Sequence, residues 1–292
     1  MDYCMENEYL KVTVTTAGAQ VKSVIRKSDG VEHMWQADPG LWGWHAPILF
    51  PHCGNVKDKT IEAKGQRYAS GQHGFARLME HSPVELSDSC IVLELESNEE
   101  TLQVFPYEFR LISTFTLEND TLHHTLTVEN LDEEELPFGI GYHPAFALPF
   151  DDKHVATDYE LRFSDMESPL CVNCLPNGLV QKDHYWLGSN MNTIPVDEHL
   201  FENDSHCMVN LRSRTLGVYE KDTGRAVVCD IEDFPYVLIW SKPGMPRFVC
   251  IEPWESLPSP ADSTSKWSDK PAAAILNPGE GWSTTLSTRF VR

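Results

Sequence analysis

Apolar residues in this chain recur at every second position in short runs, and turn residues break each run before a helical period can form. Alternation sends successive side chains to opposite faces of a strand, so each run has one face to bury. Residues 109–117 and 122–128 form the clearest pair, joined at Asn119-Asp120. Phe109, Leu111, Phe115 and Leu117 share a face in the first run; Leu122, Leu126 and Val128 share one in the second. His124 falls on that apolar face and His123 on the other, which reads as packing and surface histidine respectively. Residues 10–14 and 21–26 are further strands, the second closed by Ser28-Asp29-Gly30. Residues 61–68 fold back about Lys64-Gly65, and 84–86 pair with 91–95 across Ser87-Asp88-Ser89. Later runs at 216–219 and 226–231 flank Asp222-Thr223-Gly224; those at 237–240 and 248–251 flank Lys242-Pro243-Gly244; 282–289 is the last. About a dozen short strands with hairpin turns predict an all-β chain built as a large antiparallel β-sandwich. Sandwiches reach about 250 residues as one unit. With no linker or repeat in view, residues 1–292 are expected to form one domain. Residues 151–210, with Pro169, Pro176, Gly178 and Pro195, read as a loop-rich excursion, and 255–275 as an exposed loop.

The chain carries 44 acidic against 23 basic side chains, a formal charge of −21. Such a field disfavours nucleic acid and repels anionic membranes. No apolar run approaches the roughly 18 residues of a membrane span, and the N-terminus does not read as a signal peptide. A cytoplasmic location with reduced thiols follows as the expectation. Of the eight cysteines, Cys171 and Cys174 have metal-ligand or redox spacing. They lack a second such pair and a helical context, so no metal site is expected there.

Three stretches bring proton-transfer chemistry to strand ends or tight turns. In Val249-Cys250-Ile251-Glu252-Pro253-Trp254 an apolar run delivers Glu252, and Pro253 is expected to end the strand, since proline cannot donate to a ladder. Partial burial there raises a carboxyl pKa toward the range of a general base. Gly139-Ile140-Gly141-Tyr142-His143-Pro144 presents His143, and the glycines allow close approach of a ligand or a strand. Gln72-His73-Gly74-Phe75-Ala76-Arg77 adds His73 and Arg77, the latter able to grip hydroxyls, a carboxylate or a phosphate. Trp240 and Trp254 are flat apolar surfaces beside these groups, matched to the C–H face of a pyranose or simply to a core. No nucleophile elbow, P-loop, dinucleotide fingerprint or zinc-protease motif is present.

At these motifs the chain resembles the galactose mutarotase (aldose 1-epimerase) family, and within it the LacX-like subgroup. The matching stretches include Pro47-Ile48-Leu49-Phe50-Pro51, Gln72 to Arg77, Gly141 to Phe146, Leu200-Phe201-Glu202-Asn203-Asp204, Ile239-Trp240-Ser241-Lys242-Pro243-Gly244 and Val249 to Trp254, in the family's order. The resemblance implies a single mutarotase-like supersandwich, no cofactor and a small sugar substrate; a monomer or homodimer is expected. It implies interconversion of the α and β anomers of a hexose, with Glu252 as general base, His143 as general acid and His73 as a second site histidine. Asp204, Arg77 and Asn55 are implied as sugar-binding groups, with Trp240 and Trp254 beside them. The run His73-Gly74-Phe75-Ala76-Arg77 is shared with hexose-6-phosphate mutarotases. One departure stands out: after Phe50-Pro51, where the subgroup carries a Gly-Arg pair, this chain reads His52-Cys53-Gly54-Asn55. Three alternatives therefore stay open: a phosphorylated hexose, a non-catalytic sugar-binding or sensing protein, and a glycosidase using Asp204 as second carboxylate.

Overall fold

The hairpin read from residues 109–128 forms the middle of the larger sheet. Strands Phe109–Glu118 and Thr121–Asn130 pair in one unbroken register from Phe109↔Asn130 to Glu118↔Thr121. Asn119 turns the chain with φ 51°, a conformation asparagine tolerates better than most residues. Phe109, Leu111, Phe115, Leu126 and Val128 are fully buried, and His124 stacks on its cross-strand partner Phe115 at 4.1 Å. His123 lies on the other face and meets Ser287 at 2.9 Å. Both histidines thus take the packing and surface roles that the alternation assigns them.

The computed structural model describes residues 1–270 and 274–292. Among these, nine strands form one antiparallel sheet and eight another, with a four-stranded sheet at the N-terminus and two small two-stranded ribbons. The nine-stranded sheet runs from Met191–Pro195 through Tyr159–Glu167, Gly281–Val291 and the central hairpin to Ser82–Leu86. The eight-stranded sheet runs from Val180–Trp186 through Leu170–Cys174, His206–Val209, Tyr236–Trp240 and Phe248–Trp254 to Gly141–Tyr142 and Ile48–Leu49. Leu111, Phe115 and Val218 of the first sheet share a core with Met208, Ile239, Val249 and Ile251 of the second. This is the antiparallel sandwich expected from the alternation. The single α-helical segment among the described residues is one turn, Glu99–Leu102.

The eight-stranded sheet has a second use. Val249 and Ile251 point into the common core, whereas Phe248, Cys250 and Trp254 belong to separate apolar clusters on the opposite face. Period two therefore places Glu252 on that opposite face, away from the sandwich interior.

Three expectations need correction. Pro253 does not end its strand, which continues to Trp254 with Pro253 opposite Val237. The neighbour on the other side is what breaks: Gly141 pairs with Trp254 and Ala145 with Cys250, while Tyr142, His143 and Pro144 between them make no pair with this strand. Pro144 on one strand and Pro253 on the other, at staggered positions, remove donors that ladder would need. Residues 151–210 are not a loop excursion: Tyr159–Glu167, Leu170–Cys174, Val180–Trp186, Met191–Pro195 and His206–Val209 supply strands to both large sheets. Residues 255–270 are irregular but not exposed throughout, since Ser256, Leu257, Ser259, Trp267 and Lys270 are buried. The remainder of that expected loop includes residues 271–273, outside the described residues, and the short strand Ala274–Leu276.

Candidate active site

The break in the ladder organises the site. Gly141↔Trp254 and Ala145↔Cys250 belong to one register, and that register carried across the gap sets His143 opposite Glu252. Their side chains meet accordingly, His143 Nε2 lying 3.3 Å from Glu252 Oε2. Gly141 lets the strands close at this point. A Cβ there would come within 2.6 Å of the Trp254 ring and 2.9 Å of the Cys53 sulfur, so the glycine admits a neighbouring side chain, not a ligand.

The pair opens on a cavity of about 350 Å3, large enough for a small ligand. His73, Arg77, His143, Asp204, Trp240, Glu252 and Trp254 all line it, so seven groups from five distant parts of the sequence converge. Asn55 does not. Its Nδ2 donates to the Asn177 carbonyl at 2.6 Å, and its backbone brackets the 175–179 loop through Gly178 and Ser259. It supports the cavity wall from behind. His52 and Cys53, where the resemblance places Gly-Arg, are wholly buried, so no long polar side chain enters the cleft from there.

His73 sits in a left-handed turn, φ 64°, with its backbone N–H on the Gly54 carbonyl at 2.7 Å. The Gly54 N–H donates to His73 Nδ1 at 3.0 Å. Nδ1 is therefore an acceptor, the proton of the neutral ring sits on Nε2, and the ring is fixed as a donor. Burial holds His73 well below the usual imidazole range, reinforced by His143 and Arg77. Gly74 follows at φ 67° and must be glycine, because a Cβ would meet the Phe50 carbonyl oxygen at 2.2 Å.

Arg77 lies over the Trp44 ring at 4.9 Å and donates to the Gln72 carbonyl at 2.8 Å. Burial lowers its pKa to about 10, which leaves it a cation at neutral pH. Trp42 stacks on His143, ring centres 4.9 Å apart, and Trp240 meets the same imidazole edge-on at 5.9 Å. Trp254 is buried, with its Nε1–H on the Tyr142 carbonyl at 3.2 Å, and stands edge-on to His73. Trp42 and Trp44, whose sequence positions lie near these motifs, join the site through His143 and Arg77 respectively.

Electrostatics separate the two central groups. Burial pushes Glu252 well above the ordinary carboxyl value, and the nearby acids Asp204 and Cys174 push it the same way. Burial lowers His143 to about 3, with Arg77 adding to the effect. The pair therefore prefers its uncharged form, with the shared proton on Glu252. A charged imidazolium at His143, as the acid role requires, has to be formed at the expense of that proton.

The Cys171/Cys174 motif does not converge. Cys171 packs in the common core, while Cys174 turns to the other face beside Cys207 and lines the cavity. All eight cysteines are unpaired. Among the described residues, two side-chain groups have metal-ligand geometry: His143–Cys250–Glu252 and Asp151–His154–Glu220. Arg225 already bonds both Glu220 and Asp151 in the second group, which occupies it with a guanidinium.

The chain is similar to known proteins over nearly its whole length. The LacX protein encoded on a plasmid of Lactococcus lactis subsp. lactis is 33% identical over 282 residues, 94% of each chain. A galactose mutarotase related enzyme from Lactobacillus acidophilus superposes with a TM-score of 0.95 at 30% identity, covering 100% of this chain and 98% of the other. A galactose mutarotase-like protein from Lactobacillus casei gives 0.91 at 28% identity, covering 99% of both. The description of the aldose 1-epimerase family matches residues 1–289, and the chain belongs to that family.

Proposed function

We propose that this protein interconverts the α and β anomers of a free aldohexose, with Glu252 and His143 exchanging protons with the sugar. The observation that carries this reading is the 3.3 Å contact between the two groups inside a cavity that His73 also lines.

Ring opening needs one proton taken from the anomeric hydroxyl and one given to the ring oxygen. Glu252, as carboxylate, takes the first, and His143, as imidazolium, gives the second. The C1–O5 bond breaks, the aldehyde turns about C1–C2, and the steps reverse on the other face. The proton count has a consequence. The pair holds one proton throughout, first on His143 and then, after ring opening, on Glu252. The uncharged form that burial favours is the form left when the sugar is open. The costly step is therefore the earlier one, moving the proton from Glu252 to His143 as the sugar binds. Sugar hydroxyls donating to the carboxylate stabilise that state, and the Nε2–H of His73 steadies the ring oxygen or the aldehyde. Each acid–base group contributes on the order of 10²–10⁴ in rate.

The charge of the cleft favours a neutral hexose over a hexose phosphate. Among the described residues Arg77 is the sole lysine or arginine lining it, against Asp204. A phosphate dianion would meet one guanidinium, the Asp204 carboxylate and a Glu252–His143 pair with no net charge, which gives it no surplus of positive charge.

The test is anomer exchange followed by polarimetry and NMR, with sugar binding followed separately by calorimetry. Glu252→Gln and His143→Ala should each lose at least about 100-fold in kcat and still bind sugar. Exchange near the wild-type rate in either variant would remove the assigned roles. Binding without exchange in the unmodified protein, across a panel of aldoses and hexose 6-phosphates, would indicate a sensor instead.

A further inference from the structure

The function proposed above uses His143 and Glu252 but leaves Cys250 idle. Cys250 is wholly buried two residues before Glu252, on the same face of the strand, and pairs across to Ala145 and Trp240. A His nitrogen, the Cys250 sulfur and a Glu252 oxygen all lie within 4.8 Å of one another. We propose that these three side chains form a binding site for a divalent transition-metal ion of the zinc class, overlapping the acid–base pair and switching it off. The inhibitory consequence rests on the mutarotase reading; the metal site itself does not.

Three observations support the site. First, the spacing fits. Zinc–nitrogen and zinc–oxygen bonds of about 2.1 Å in a tetrahedron put the two ligand atoms about 3.4 Å apart. The 3.3 Å between His143 Nε2 and Glu252 Oε2 matches without movement. The sulfur lies no more than 4.8 Å from its partners, against the about 3.6 Å that a tetrahedral zinc site sets, so it reaches the ion by rotation of a side chain. Second, the charge balances. A Cys250 thiolate and a Glu252 carboxylate supply two negative charges against a dication, leaving a neutral buried unit in a place where an uncompensated charge is costly. Among the described residues no lysine or arginine competes, since the one basic group within ion-pairing distance of Glu252 is His143 itself. The Asp151–His154–Glu220 group lacks this property because Arg225 is already bound there. Third, the donor set selects the ion. One sulfur, one imidazole and one carboxylate favour zinc or cobalt over magnesium or calcium, which prefer oxygen alone.

On binding, the ion replaces the thiol proton of Cys250 and the proton shared by His143 and Glu252, and both leave to solvent. Three protein ligands leave a fourth position for water or a sugar hydroxyl. The Glu252 carboxylate and the His143 nitrogen are then both occupied and cannot pass protons, so metal and turnover exclude one another.

Cobalt reports the site directly. Chelator-treated, reduced protein titrated with Co2+ should develop thiolate-to-cobalt charge-transfer absorption saturating at one ion per chain. Zn2+ should abolish that band. Cys250→Ser should remove it, while Cys174→Ser, the other thiol near the cavity, should retain it. In parallel, Zn2+ should inhibit anomer exchange in step with occupancy, chelator should restore it, and Cys250→Ser should need at least about tenfold more Zn2+ for half inhibition. X-ray absorption of the zinc-loaded wild-type protein needs no variant, and should show one sulfur near 2.3 Å with lighter ligands near 2.0–2.1 Å. A zinc shell of oxygen and nitrogen alone, or an unchanged cobalt band in Cys250→Ser, overturns the proposal. The two readings fail separately: a cobalt–thiolate band in a protein without exchange activity removes the mutarotase reading alone, and normal exchange with no band removes the metal site alone.

Discussion

Glu252 and His143 sit in one pocket under one set of neighbours, yet burial drives them in opposite directions because the charged form is an anion in one and a cation in the other. The working form holds one proton between them, so activity should fall wherever that count changes. On the acid side the pair gains a second proton as His143 titrates near about 3, and on the alkaline side it loses its only proton well above the ordinary carboxyl range. The kcat/KM profile of anomer exchange should therefore be broad and flat through neutrality. An acid limb near the ordinary imidazole value would show instead that His143 titrates independently of Glu252. The residues of this site were largely legible in the sequence, because Glu252, His143 and His73 each stand beside prolines or glycines that punctuate a strand or turn. Asn55 was not, since nothing in His52-Cys53-Gly54-Asn55 shows that the amide turns back to the Asn177 carbonyl. Cys250 was equally silent, as its place beside His143 depends on strands brought together from far apart.

At the scale of the strand, the central device is a ladder interrupted by prolines on both sides, with Gly141 closing it. Gly141→Ala would push a methyl group into Trp254 and Cys53. The cost should be about 1–3 kcal/mol in stability, as overpacking in a tight core usually is. It should also shift Trp254 within the cavity wall and raise KM for the sugar. Urea denaturation and steady-state kinetics check both, and an unchanged urea midpoint would mean that the strands separate there at little cost. Strands with one buried face were readable from alternation, including the whole central hairpin. Those of 151–210 were not. Val180–Trp186 is exposed along most of its length, so its polar residues show no period, and Pro169, Pro176 and Gly178 mark turns between short strands that read as one irregular stretch. Pro253 misled in the opposite sense: a proline inside a strand is tolerated when the facing neighbour has already left the ladder.

Across the whole molecule, the buried histidines make stability depend on pH. Burial lowers His33, His52 and His124 to about 3 each. Each is uncharged in the folded chain and ready to protonate in the unfolded chain near 6.5. Between those values the unfolded state binds more protons, so folding stability falls as pH falls, by up to about 1.4 kcal/mol per pH unit for each group. Glu252 and Glu255, raised by burial, act in the other direction, since folding favours their protonated forms. The histidines outnumber them. The urea midpoint should therefore drop between pH 7 and pH 5, and a midpoint that stayed level or rose would show that the carboxyls dominate. The sandwich was legible at this scale because alternation specifies which face of each strand is buried. The order of strands within each sheet was not, since it is set by contacts between runs that are distant in sequence.

The central claim is tested most directly by two-dimensional exchange NMR on a hexose labelled at C1, with wild-type protein and Glu252→Gln at equal sugar occupancy. The account predicts α/β cross-peaks that grow with wild-type concentration and fall to the uncatalysed level, within about 1%, in the variant. Cross-peaks of equal intensity from both proteins would contradict it.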